Sequence, residues 1–134
     1  MAERIRNFAK EKSFSHLLFL QHWFSIEAVE QYFIGLSKLR KLKIYDFGCG
    51  QKPYSIFAIN HEYIGIDSDL SNCNADIFSD VTSVPNDDCS ADIVVSFFVL
   101  EHVRVPTKMI QEMYRILKKE GQLFMLVPLY WEEH

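Results

Sequence analysis

A short apolar run, Lys43-Ile44-Tyr45-Asp46-Phe47, leads straight into Gly48-Cys49-Gly50, and this junction constrains the fold more than any other stretch of the chain. Two glycines spaced G-x-G make a turn that bulkier residues resist, and they leave bare backbone for a ligand to lie against. A second apolar run, Tyr63-Ile64-Gly65-Ile66, closes on Asp67, seventeen residues after Gly50. An acid at the tip of the strand after such a turn can accept hydrogen bonds from a ribose diol. Together these features predict a nucleotide-type cofactor site at the carboxyl edge of a parallel sheet.

The rest of the chain alternates helix and strand signals. Ile26, Val29, Tyr32, Phe33, Leu36 and Leu39 recur at helical spacing, with Leu17, Leu18, Leu20, Trp23 and Phe24 forming an earlier helix or an extension. Such a stripe serves either as core or as a lid over a ligand. Strands are expected at 43–47, 63–67, 75–78, 92–97 and 122–127. A short helix is expected at 54–58 behind Pro53, and a helical turn at 99–103. Pro106 opens a further helix with Met109, Ile110, Met113, Ile116 and Leu117 on one face and Lys108, Glu112, Arg115 and Lys119 on the other. Gly121 is its expected stop. This order predicts an α/β fold, a doubly wound, mostly parallel sheet with N-terminal helices. Its 134 residues suffice for one domain, read as a helical cap at 1–42 and a cofactor-binding core at 43–134.

Composition narrows the partners. Residues 1–43 hold eight Lys/Arg against four Asp/Glu, whereas residues 44–134 hold six against fourteen. The acidic cofactor half argues against a nucleic-acid ligand and suits a cationic small molecule, although acidity also serves solubility alone. No apolar run reaches the roughly 20 residues of a membrane span. Residues 14–24 are apolar enough to suggest a signal peptide, but His16, Gln21 and His22 interrupt them and no small-residue cleavage site follows, so they are read as a helix face. Cys49, Cys73 and Cys89 form no CxxC pair, which favours reduced thiols and a cytoplasmic location. The five histidines are scattered, so no metal site is expected.

A dinucleotide fingerprint requires G-x-G-x-x-G, but Gln51-Lys52-Pro53 follows Gly50 and the third glycine is missing. A ligand with a ribose and no bridging phosphates fits better. A fragment of a nicotinamide-dependent dehydrogenase is the weaker reading for the same reason.

Five segments in order, YDFGCGQKPY, YIGIDSD, ADIFSDVTSVP, ADIVVSFFVLEHV and MIQEMYRILKKEGQLFMLVP, resemble the class I S-adenosylmethionine-dependent methyltransferases of the small-molecule branch. The resemblance covers residues 43–128 and implies a Rossmann-like methyltransferase fold. It also implies S-adenosylmethionine as cofactor, S-adenosylhomocysteine as product, and a small-molecule oxygen or nitrogen acceptor. It places Gly48 and Gly50 under the methionine part of the cofactor, with Cys49 a spacer between them, and gives Asp46 the orienting of the amino-acid end. By the same resemblance Asp67 matches the carboxylate that grips the ribose hydroxyls, with Ser68 beside it. It further implies that Asp80 accepts from the adenine amino group, that Val81 adds backbone contact to the ring, and that Phe97 offers its carbonyl to the methionine amino group. Glu101 and His102 match the segment after the fourth strand, where His102 is either a general base or a packed helix-start residue. Asp67 and Asp80 equally suit turns, and Phe97 equally suits the core.

The family's terminal antiparallel hairpin has no sequence here beyond Pro128 except residues 129–134, and His134 at the chain end receives no role. The fifth strand is then an open edge. Three explanations compete: a truncated enzyme, an edge covered by a second copy or a partner chain, or a non-catalytic cofactor-binding or assembly module.

Overall fold

The structure, a computed structural model, describes residues 16–36, 40–71 and 73–128. The side chains of Leu17, Leu18 and Leu20, residue Leu39, and segment 129–134 with His134 lie outside the described residues. Five strands, β1 (Lys43–Phe47), β2 (Glu62–Asp67), β3 (Ile77–Phe78), β4 (Ala91–Phe97) and β5 (Leu117–Leu126), form one sheet in the order β3-β2-β1-β4-β5. Every neighbouring pair is parallel. The chain winds outward from β1 through β2 to β3, then returns to β4 on the other side. The β1/β4 boundary is therefore the point where strand order reverses, the place at which open α/β sheets bind ligands.

Burial on both faces explains the continuous apolar runs of β1 and β4. Alternation sends Ile44, Ile93, Val95 and Phe97 to one face, where they pack with Val29, Phe33 and Leu36 of helix α1 (His16–Leu36). Tyr45, Phe47 and Val94 go to the other, against Met109, Met113 and Ile116 of helix α2 (Pro106–Ile116). The α1 stripe is thus core, and the helix is one continuous element from His16. Val105 supplies no side-chain cap to α2. A missing cap costs about 1 kcal/mol, whereas each of the three fully buried side chains contributes about 1.5–3 kcal/mol, so packing holds this helix.

Several boundaries differ from expectation. Residues 55–58 form only a 3₁₀ turn, as do 100–102. Helix α2 ends at Ile116, because Leu117 is already extended and pairs with Ala91. Lys119 therefore belongs to β5, and Gly121 is not a helix stop. Residues 118–121 bulge opposite Asp92 before pairing resumes at Ile93 and Gln122. Gly121 matters for space: a Cβ there would sit 2.7 Å from Leu117 Cδ2 and 2.9 Å from the Lys118 carbonyl. Asp92 anchors this end of the sheet, accepting from Arg40 at 2.8 Å, Lys118 at 2.9 Å and the Lys43 amide at 2.9 Å.

Among the described strands β5 pairs with β4 alone; Leu123 on this edge strand and Val127 just beyond it are exposed. No described helix is long and apolar enough to cross a membrane.

Candidate functional site

The turn after β1 is fastened to the end of β2. The Gly48 and Cys49 amides both donate to the Ile66 carbonyl, at 2.8 and 3.1 Å, and the Gly50 amide donates to Asp67 Oδ2 at 2.9 Å. Gly48 has φ 76° and Gly50 φ 48°, the left-handed region that glycine enters at least cost. Gly48 also lies against Val99: a Cβ would fall 2.4 Å from its Cγ2. Both glycines are explained by the turn itself, before any ligand is considered.

A cavity of about 280 Å³ opens above this turn, lined by Asp46, Gly48, Cys49, Gly50, Gln51, Pro53, Tyr54 and Phe97. Phe97 is at once core and lining. Its ring meets Tyr54 edge-on at 4.6 Å and Phe124 at 5.7 Å. The next residue, Phe98, has φ 59°, unusual for a bulky side chain, and its amide donates to the Leu126 carbonyl.

Asp46 is the buried charge of the site, with 2% of its surface exposed. Burial pushes its carboxyl up to about 7; the Tyr63 hydrogen bond and nearby Lys52 oppose that rise, and Asp67 adds to it. Tyr63 Oη donates to Asp46 Oδ2 at 2.6 Å. Burial, with Asp46 and Asp67 nearby, pushes the Cys49 thiol up to about 12, so it is a protonated spacer rather than a nucleophile.

Asp67 accepts two backbone amides, Gly50 on Oδ2 and Asp69 on Oδ1 at 3.0 Å. A carboxylate offers about four acceptor positions, so two remain for ligand hydroxyls. Turn former and ligand acceptor are therefore compatible roles here. Asp67, Ser68, Asp80 and Val81 lie outside the cavity lining. Asp80 is exposed, and its Oδ1 accepts from the Thr82 amide at 2.8 Å and Thr82 Oγ1 at 2.7 Å. The amide and then the hydroxyl lower its pKa. Glu101 buries both carboxylate oxygens without a partner, in the 3₁₀ turn after β4.

Sequence reasoning missed Tyr54, Tyr63, Lys52 and Asp76. Lys52 forms an ion pair with Asp76, whose Oδ2 also accepts from the Gly65 amide at 2.7 Å. Strand parity is the signal that finds Tyr63. Ile44 and Tyr63 are register partners, as are Asp46 and Gly65, so Tyr63 and Asp46 share a face one diagonal step apart.

A parallel sheet whose strand order reverses beside a glycine turn is a Rossmann-like α/β fold. A family model described as a methyltransferase domain matches residues 45–125, and the chain belongs to that family. No curated protein matches the sequence. A Methanococcus maripaludis protein assigned as an S-adenosylmethionine-dependent methyltransferase is 20% identical with a TM-score of 0.63, over 92% of this chain and 61% of its own. The YcgJ protein of Bacillus subtilis is 18% identical with a TM-score of 0.64, over 74% and 49%. A Haloferax volcanii complex of a methyltransferase activator with its assigned methyltransferase matches at 19% identity and a TM-score of 0.60, over 74% and 51%. The chain thus spans about half to three-fifths of the length of these structures.

Proposed function

We propose that this site binds S-adenosylmethionine and serves methyl transfer to a small-molecule oxygen or nitrogen acceptor. One observation carries the reading: the Asp67 carboxylate is fastened to the amide of Gly50, and Gly50 lines a cavity together with the buried Asp46. The cavity suits the amino-acid end of the cofactor. Gly48 and Gly50 leave the backbone open beneath it, Asp46 meets its ammonium, and Phe97, which lines the same cavity, would offer its carbonyl to that group. Asp67 with Ser68 takes the ribose, and Asp80 and Val81 take the adenine, outside the cavity.

When bound, the cofactor supplies an already electrophilic sulfonium methyl. The chain's own task is to align an acceptor with the methyl–sulfur axis and to keep water away. Tyr54 and Phe97 form the apolar wall suited to that exclusion. The acidic cofactor half favours a cationic cofactor over nucleic acid, and three free cysteines favour a cytoplasmic setting.

Calorimetry with S-adenosylhomocysteine tests the reading. Binding is expected, and Asp67→Ala should weaken it by about 1–3 kcal/mol, because ligand hydroxyls lose their acceptor. No binding at millimolar ligand would sink the proposal.

A second reading has one observation in its favour. The open β5 edge, with exposed Leu123 on it and Val127 just beyond it, suits an assembly module that pairs with a second copy or a partner chain. The activator complex among the structural relatives is consistent with it. Light scattering that shows only monomer across a wide concentration range would exclude self-pairing.

A further inference from the structure

The Tyr63–Asp46 pair divides its members between two settings. Asp46 lines the cavity, whereas Tyr63 does not. The Tyr63 ring leans on Phe33 of α1 with centroids 6.3 Å apart, so the phenol is held from the core side. Its hydroxyl reaches Asp46 Oδ2 at 2.6 Å, one of the shortest side-chain hydrogen bonds among the described residues. We propose that Tyr63 is a positioning residue: by tying Oδ2 toward β2, it aims the Asp46 carboxylate at a cationic amino group in the cavity and keeps it ready to carry the opposing charge. The proposal rests on the cofactor reading above.

The physical reason is a competition over one proton. Burial favours neutral Asp46, whereas the Tyr63 hydrogen bond is the first influence that favours its ionised form. The other groups facing Asp46 are Lys52, which also favours ionisation, Asp67, which opposes it, and Tyr54 and Cys49, both held protonated by burial. Tyr63 itself stays a donor, since burial and then Asp46 push its phenol far above the ordinary range. Removing the phenol leaves Asp46 protonated to higher pH, and a neutral acid attracts an ammonium weakly.

The test is calorimetry on the full chain from about pH 5.5 to about pH 8.5, spanning the Asp46 titration. The probes are S-adenosylhomocysteine and 5′-methylthioadenosine, which keeps the adenosine and thioether but lacks the amino acid. Each variant is first shown to fold by circular dichroism. Affinity of the unmodified chain for S-adenosylhomocysteine should rise with pH through about 7. Tyr63→Phe should move that rise to higher pH and weaken binding about tenfold near neutrality. Methylthioadenosine should respond to neither pH nor the substitution. Asp46→Asn should flatten the profile, and adding Tyr63→Phe to it should change nothing more.

An unshifted profile in Tyr63→Phe, a pH dependence that survives Asp46→Asn, or an equal loss for both probes would overturn the proposal; the last would mean a merely structural role. Binding of neither probe by the unmodified chain would remove the cofactor reading, and this proposal with it. Binding of S-adenosylhomocysteine with a flat profile would remove this proposal alone.

Discussion

Lys52 crosses β2 at Gly65 to pair with Asp76, and the Asp76 carboxylate turns back to accept the Gly65 amide at 2.7 Å. The lysine can take this path because Gly65 has no side chain. A Cβ there would fall 2.4 Å from Lys52 Cε, 2.6 Å from Cys49 Sγ and 2.9 Å from Cys49 Cβ. The lysine tip could move aside, but Cys49 Cβ is fixed to the turn backbone. Gly65→Ala should therefore lower stability by about 1–3 kcal/mol, the usual cost of overpacking. Denaturant titration measures it, and an unchanged midpoint would show that the turn yields freely.

Asp46 should impose a pH dependence on stability. Its folded pKa of about 7 lies above the ordinary carboxyl value of 3.8. Between these values the folded chain holds a proton that the unfolded chain releases. Stability from this group is thus fully present below about pH 4 and is lost progressively as pH rises to about 7. Chemical denaturation at several pH values should show that decline, and Asp46→Asn should remove its contribution. A decline of the same size in the variant would assign it to other groups.

Arg115 should prove a structural clamp rather than a solvated charge. Its guanidinium donates to the Val84 carbonyl at 2.9 Å, the Asn86 carbonyl at 2.7 Å and the Asp88 carboxylate at 2.5 Å, and it pairs with Glu112 at 2.7 Å. Glu112 in turn accepts the Val84 amide at 2.7 Å. A lysine cannot reproduce this planar fork. Arg115→Lys should cost about 1–3 kcal/mol and speed hydrogen exchange at the Val84 and Asn86 amides. Unaltered exchange there would mean the loop holds itself.

How far these features could be read beforehand depended on their range along the chain. Strands β1 and β4 were legible because both faces are buried, which writes an unbroken apolar run. Pro106 marked the start of α2 because its ring is acceptable only in a first helical turn. Gly121 misled because glycine stops helices and also permits close backbone contact, and only the β4–β5 pairing separates the two. Arg115 and Glu112 read as an exposed face because helical spacing cannot show that a loop returns to cover it. Tyr63 and Lys52 stayed hidden for a similar reason. Their partners lie 17 and 24 residues away, and strand order alone brings them together.

The bond between the Gly50 amide and Asp67 ties the loop after β1 to the end of β2 through the chain's own atoms. A guest settling above that loop consequently has little backbone motion to freeze. Less conformational entropy is surrendered on docking, and capture should proceed at the pace of collision rather than wait for rearrangement.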